Sequence, residues 1–435
     1  MPTRSRQYSE FRLPVDILDE IFSYAKLPTL ARLVLVSHTF QEVAARLLYR
    51  NIPSLSVSRT SHLVETLASK PYLAAHTRTC EIGDMSFFLA NQKEPLPPAF
   101  FKQLHSALHN MYRLTDLTFL LKGPTSHVLL GAPFKLTKLT ASCDFDATFA
   151  SWLTEQPTLR AAIFCGTSPD GVTLPADALP SLRRVTASPP TLACVVPGRR
   201  IRDVDLCLVH PWSLNREVLQ TTFRVISSSK GPVDSLKIIS HLAEPTDTIL
   251  SSLEAIPSSG LSSITKFALH AVSGSVTHVS NTPPHTPWFL SLTKHFQDIL
   301  SGLPPILSRF TALRSVVLFS KNKYDALHTA AGSRAFAEAW HVHCSSLERV
   351  TLPGATYVHD RNYGWNTPWE LAQMLNKTRG QLALPQPCAA ESRKQEVAAG
   401  VQSGDTGRAS VRGFESDLGI ERRNDSGASV VAVAA

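Results

Sequence analysis

The chain has 435 residues, 43% of them hydrophobic and 18% charged, with 43 Lys and Arg against 35 Asp and Glu for a net charge of +8. That length suffices for two or three domains or one elongated repeat domain, the composition excludes a chain too polar to bury a core, and so small a positive balance marks a nucleic-acid binder only if it is concentrated. No run approaches about eighteen consecutive apolar residues and Met1-Pro2-Thr3-Arg4-Ser5-Arg6 leads into no apolar segment, which predicts an intracellular protein, cytoplasmic and/or nuclear, without a membrane span.

The first expected elements are three helices. Pro14 fits a first helical turn, where a missing N–H costs nothing, and Asp16, Asp19 and Glu20 set negative charge near that helix's positive end. Ile17, Ile21 and Tyr24 follow at helical spacing with Leu18, Phe22 and Ala25 beside them, so the apolar face is wide. Leu27-Pro28-Thr29 breaks the helix, and Thr29 is the expected N-cap of a second one carrying Leu30, Leu33, Val34 and Val36. Thr39 and Glu42 form a capping box ahead of Val43, Leu47 and Leu48 in a third. A unit of about forty residues barely sustains one core, and each Leu or Ile left in water forgoes roughly 1.5 to 3 kcal/mol, so the excess apolar side chains need a partner surface.

The Leu13-Pro14 opening, Ile17, Ile21, Leu30, Leu33, Val36-Ser37 and Phe40 resemble an F-box, and Leu47-Leu48-Tyr49-Arg50 is similar to the close of many fungal F-box-like sequences. The likeness covers roughly a tenth of the chain. It departs from the commoner pattern at Ser37, where Cys is frequent, and at Ala25, where Leu is. The resemblance implies that residues 10–50 form a helical domain docking on a Skp-type adaptor of a cullin ubiquitin ligase. Leu13, Pro14, Ile17, Ile21, Leu30, Leu33, Val36 and Phe40 would then dock directly or hold the helices together. The residues alone also suit a helical cap on the domain behind them, and both readings stand.

Residues 52–57 read as a short extended stretch and 61–69 as a helix. A local pattern then recurs: a leading Leu or Ile, with apolar residues three and five positions later. It is carried by Leu114-Leu117-Phe119, Leu136-Leu139-Ala141, Leu159-Ala162-Phe164, Leu182-Val185-Ala187, Ile201-Val204-Leu206, Ile264-Phe267-Leu269, Leu313-Val316-Leu318 and Leu347-Val350-Leu352. Thr77-Cys80-Ile82 and Leu236-Ile239 are weaker copies. Offsets three and five share one face of a strand. Helical stretches precede several copies, at 98–111, 145–155, 215–226, 247–256, 287–300 with Thr286 as cap, and 334–343 with Ser333 as cap. Helix then strand, repeated, implies a parallel sheet with right-handed crossovers.

The early leads at 114, 136, 159, 182 and 201 keep a leucine-rich-repeat period and the later ones stretch. The fold class expected is α/β: the F-box-like unit, then over residues 51–375 an irregular solenoid resembling the leucine-rich repeats of many F-box proteins. An ordinary α/β domain with short apolar strands is the alternative. Residues 271–287, with His285 and three prolines, read as a surface loop. Past Leu375 the chain turns to Gly, Ala, Ser, Gln and mixed charge, so 376–435 is expected to be a disordered tail.

In a curved parallel sheet, offsets two and four point away from the helices. Asp116 and Thr118, Lys138 and Thr140, Arg184 and Thr186, Asp203 and Asp205, Lys266, and Arg349 and Thr351 form such a polar strip. It suits either grip on a protein substrate or plain solvation. Arg183, Arg184, Arg199, Arg200 and Arg202 are the one candidate basic patch, without the interleaved aromatics of a nucleic-acid module. His341-Val342-His343-Cys344 lacks a second ligand pair at finger spacing and reads as a helix end with a core thiol. Seven Cys, with no Cys-x-x-Cys pair, read as reduced and mostly buried. Tyr357, Tyr363, Trp365 and Trp369, with turns at Gly364 and Pro368, read as a seal on the open end of the core.

No phosphate loop, Gly-x-Ser-x-Gly elbow or His-Glu-x-x-His is present, so no enzymatic activity, metal or cofactor is expected. The function expected is a substrate-recruiting ligase adaptor. The alternative is a non-catalytic scaffold or ligand-binding repeat protein whose N-terminal helices only cap it.

Overall fold

The structure is a computed structural model. It describes residues 13–83, 96–166, 171–208, 216–240, 246–271, 297–320 and 330–382. The expected loop after Ala271, most of the 287–300 helix, Cys388 and the chain beyond 382 lie outside the described residues.

Helices α1 (Val15–Ser23), α2 (Leu27–Leu33) and α3 (His38–Leu48) open the described chain. Pro14 stands at the N-cap of α1, and its carbonyl accepts from the Ile17 and Leu18 N–H groups, each at 3.1 Å. Two expected caps are corrected. Lys26 is the N-cap of α2, because Pro28 holds first-turn geometry and places Thr29 inside the helix. Ser37 caps α3 with its Oγ accepting from the Phe40 N–H at 3.2 Å, so Thr39 is already helical.

Strand β1 (Asn51–Ile52) follows α3 directly and starts a sheet that, among the described residues, has 13 strands in sequence order. The next are β2 (Thr79–Ile82), β3 (Asp116–Phe119), β4 (Lys138–Ala141), β5 (Ala161–Phe164), β6 (Arg184–Ala187), β7 (Asp203–Leu208), β8 (Ser235–Ser240), β9 (Lys266–Ala271), β10 (Ser315–Ser320) and β11 (Arg349–Leu352). From β1 to β11 each strand is parallel to the next. Antiparallel β12 (Ala355–Asp360) and β13 (Gly364–Asn366) close the far edge.

Between the strands run α4 (Val57–Ser69), α5 (Pro71–Ala74), α6 (Pro98–Asn110), α7 (Ala147–Thr154), α8 (Pro189–Val195), α9 (Arg216–Ser227), α10 (Thr246–Leu253), α11 (Pro304–Leu307) and α12 (Ala330–His343). Helix α13 (Pro368–Leu382) ends the described chain. The short helices α8 and α11 each open on two prolines and escaped the sequence reading. Ser333 lies inside α12 rather than at its cap, and Pro368 begins a helix rather than a turn. Helix α13 also crosses the expected boundary at 375/376, because its polar second half shows no apolar period.

The pattern read from the sequence sets the strand register. Each of β2, β3, β4, β5, β6, β7, β9, β10 and β11 begins two residues after its leading residue. Asp116, Lys138, Ala161, Arg184, Asp203, Ser235, Lys266, Ser315 and Arg349 therefore lie in one continuous rung. The weak copy at Leu236-Ile239 is corrected to Val233-Leu236-Ile238: Leu236 pairs with Val204 and Phe267, so it holds offset three and Val233 is the lead. The leads and the residues at offsets three and five are buried, and with Phe100, Leu104, Trp152, Phe223 and Trp340 from the helices they form one core along the body.

Candidate functional site

Two surfaces stand apart from the core. The first is the outer side of the N-terminal helices. Leu18, Phe22, Leu30, Val43 and Ala44 form a small core, with the Phe22 and Phe40 rings edge to face at 5.1 Å and Arg46 bridging to Asp19 at 2.7 Å. The wide apolar face of α1 is thus divided: Leu18 and Phe22 point inward, while Ile17, Ile21 and Tyr24 remain in water. Leu27 and, in the turn before Ser37, Leu35 and Val36 extend the exposed apolar surface, with Leu35 at 85%. Of the residues expected to dock, Leu13, Pro14, Ile17, Ile21 and Val36 are exposed, Leu30 is buried, and Leu33 and Phe40 are half-buried against the small core. Val15, Tyr24, Leu27 and Leu35 are exposed apolar residues absent from the expected set. The Leu27-Pro28 helix start and the Ser37 cap carried the signal, since they leave Leu35 and Val36 in a turn with no helix face to occupy.

This unit joins the body through α3. Ala45 lies in the body's core, and Val34 and Tyr49 pack against it. A cavity of about 530 Å³ at the junction is lined by Val15, His38, Glu42, Arg46, Tyr72 and His76, among others. Burial, then the nearby Arg46 and Arg113, holds the His76 imidazole below its usual pKa.

The second surface is the sheet face opposite the helices, where offsets two and four point. Lys138 pairs with Asp116 at 3.7 Å, Arg184 with Asp203 at 3.8 Å and Lys237 with Asp205 at 3.5 Å, while the Thr186 hydroxyl donates to Asp205 at 3.2 Å. Five of the candidate substrate-facing side chains, Asp116, Lys138, Arg184, Asp203 and Asp205, are therefore partnered within the sheet. Lys266 and Arg349 are exposed and form no ion pair among the described residues.

The basic patch does not assemble as read. Arg199 is buried, and its guanidinium donates to the carbonyls of Pro175 at 2.5 Å, Ala178 and Val195 at 2.8 Å each, and Pro197 at 3.0 Å. It thereby satisfies a carbonyl at the end of α8 and ties the following loop to the one before β6. Arg183 donates to the Arg200 carbonyl at 3.1 Å.

At the far edge Tyr357 is fully buried, and Trp365 packs against His341 and His359, whose own rings stack at 4.1 Å. Trp369 is exposed and takes no part in that seal. Cys344 is a buried thiol just past α12, as the reading of that helix end required, and among the described residues no three His, Cys, Asp or Glu converge as metal ligands. The six described cysteines are free. Burial raises the Cys80 and Cys143 thiols to about 12 and Cys165 to about 11, so none of these three is a ready nucleophile. Among the described residues no helix is long and apolar enough to cross a membrane.

No curated protein matches the chain. Residues 11–52 match the family model for the F-box-like domain, so the three helices with the exposed Ile17, Ile21 and Tyr24 are an F-box-like unit at the head of a large open α/β sheet.

Proposed function

We propose that the chain is a substrate-recruiting adaptor of a Skp-cullin-F-box ubiquitin ligase. The observation that carries this reading is the exposed apolar surface of Ile17, Ile21, Tyr24, Leu27, Leu35 and Val36 on an F-box-like unit whose own small core is already complete. Side chains of that size gain roughly 1.5 to 3 kcal/mol each on full burial, which favours a partner that covers them. In this reading residues 10–50 dock on a Skp-type adaptor. The body from residue 51 onward is an irregular leucine-rich-repeat-like solenoid whose open face holds a protein substrate. The chain itself performs no covalent chemistry: it raises the local concentration of substrate lysines at the enzyme that modifies them.

Co-purification of the full chain with a Skp-type adaptor, beside the Ile17→Asp/Ile21→Asp variant, tests the assignment. The wild type retains the adaptor and the variant loses it with an unchanged thermal unfolding midpoint; retention by the variant would sink the reading. The second reading makes the helices a cap alone. It is favoured by the direct run of α3 into β1 and by the packing of Ala45 and Tyr49 in and against the body's core. Its signature is a folded wild-type chain that binds no adaptor.

A further inference from the structure

The open face changes character along its length. From β3 to β8 its charges cancel: Asp116 with Lys138, Arg184 with Asp203, Asp205 with Lys237. From β9 to β11 they do not. Lys266 and Arg349 flank Ser315 in one rung, both exposed and neither ion-paired among the described residues. In the next rung up Ala268 faces Val317, and beyond it His270 faces Phe319, their rings 5.1 Å apart. Phe319 is 44% exposed, a large apolar side chain left on a sheet face. Burial first, then Lys237, holds the His270 pKa down to about 4, so at neutral pH this imidazole adds no charge to the floor.

The strip therefore carries two unneutralised cations at one end and an apolar platform at the other. Neighbouring strands lie roughly 4.8 Å apart, so Lys266 and Arg349, two strands apart, are separated by about 10 Å, the rise of three extended residues. From that rung to Phe319 is four residues along the strand, about 13 Å. We propose that this part of the open face, β9 to β11, holds an extended acidic segment of a protein partner. In the polyproline II form of such a segment, with three residues per turn and a rise of about 3.1 Å each, carboxylates three residues apart share one face and meet Lys266 and Arg349 together, while an apolar side chain on the flank facing up the strands rests on Val317 and Phe319. Two cations would neutralise few phosphates of a nucleic acid, whereas a short peptide uses both ends of the strip. The proposal rests on the reading of the body as a substrate receptor, for which it names the substrate class. It is tested without any adaptor, so the two fail separately.

The measurement is fluorescence anisotropy on the full chain, with a fluorescein-labelled nine-residue peptide of Glu-Leu-Ser triplets and its Lys-Leu-Ser counterpart. The acidic peptide binds and the basic one does not. The double change Lys266→Glu/Arg349→Glu weakens binding about tenfold, whereas Lys138→Glu, on the partnered half, changes it less than about twofold. Phe319→Ser weakens it about fivefold by removing the apolar platform. All four positions are exposed, and circular dichroism checks that the variants remain folded. Equal binding of the two peptides, unchanged affinity in the double variant, or no binding of the acidic peptide would overturn the proposal. Displacement of the peptide by a single-stranded oligonucleotide at equal concentration would replace it with a nucleic-acid site.

Discussion

The F-box-like unit and the sheet body treat apolar side chains in opposite ways. Among the described residues the unit leaves eight large ones exposed, Leu13, Val15, Ile17, Ile21, Tyr24, Leu27, Leu35 and Val36, while the several-fold longer body leaves seven. The body buries its apolar residues against itself, because each strand contributes offsets three and five to a core its neighbours continue. Among the described residues the unit has no such neighbour on its outer side. Its stability and its exposed surface are thus separable, whereas in the body nearly every apolar residue serves the fold.

The largest effect that tests this separation is at Arg199. Its guanidinium is the donor for several carbonyls in a buried loop, so Arg199→Met leaves them without partners. Urea unfolding of the full chain is expected to show a loss of about 3 kcal/mol with an unchanged m-value. The Ile17→Asp/Ile21→Asp change, made at exposed positions, is expected to cost under about 0.5 kcal/mol. A comparable loss in both would mean that the unit's outer surface is part of the fold, and the comparison would fail.

Much of the sheet was legible in the sequence because its pattern is local. A leading Leu or Ile and two apolar residues fix strand start, inward face and register together, so the rung from Asp116 to Arg349, except at β8, could be read before any contact was known. The reading failed at β8 because Val233 is a lead without the Leu or Ile that marks the strong copies, and Leu236, three residues on, looked like one. It failed at Arg199 because a run of arginines shows charge but not burial. Ion pairs across the open face were illegible for another reason: Asp116 meets Lys138, and Asp205 meets Lys237, only once whole helices have been threaded between the strands. At the N-terminal unit the helices were legible, but the inward and outward halves of the α1 face were not. Both halves are equally apolar, and only the packing of Phe22 on Phe40 separates them.

A middle-sized effect lies at His270, a partly buried ring on the body's open face. Its folded pKa of about 4 lies below an unfolded value near 6.5. Above about pH 6.5 the imidazole is neutral in both states and sets no pH dependence. Between about 6.5 and 4 the unfolded chain takes up the proton and the folded one does not, so stability falls with pH; below about 4 both are protonated and the loss is complete. Lys237 nearby disfavours the charged form and Asp205 opposes it. Allowing for solvent screening at this partly exposed ring, the loss is about 1 to 2 kcal/mol. Chemical denaturation at pH 7 and pH 4.5 would show a smaller acid loss for His270→Gln than for the wild type. Parallel losses would mean that the ring is hydrated and the floor beneath Phe319 is wet.

The smallest effect concerns the partnered half of the same face. Lys138 and Asp116 are 3.7 Å apart, with the Lys138 side chain 71% exposed, so water screens the pair. A double-mutant cycle with Lys138→Met and Asp116→Asn is expected to give a coupling of about 0.5 kcal/mol that fades with added salt. Asp116 also accepts from the Thr137 hydroxyl at 2.8 Å, so its single change costs more than the coupling alone. A weak coupling means that this half is solvated and internally neutral, with no unbalanced charge to offer a ligand. A coupling above about 2 kcal/mol, insensitive to salt, would mean that the face between β3 and β4 is desolvated. The division of the open face into a neutral half and a cationic half would then rest on burial rather than on charge balance.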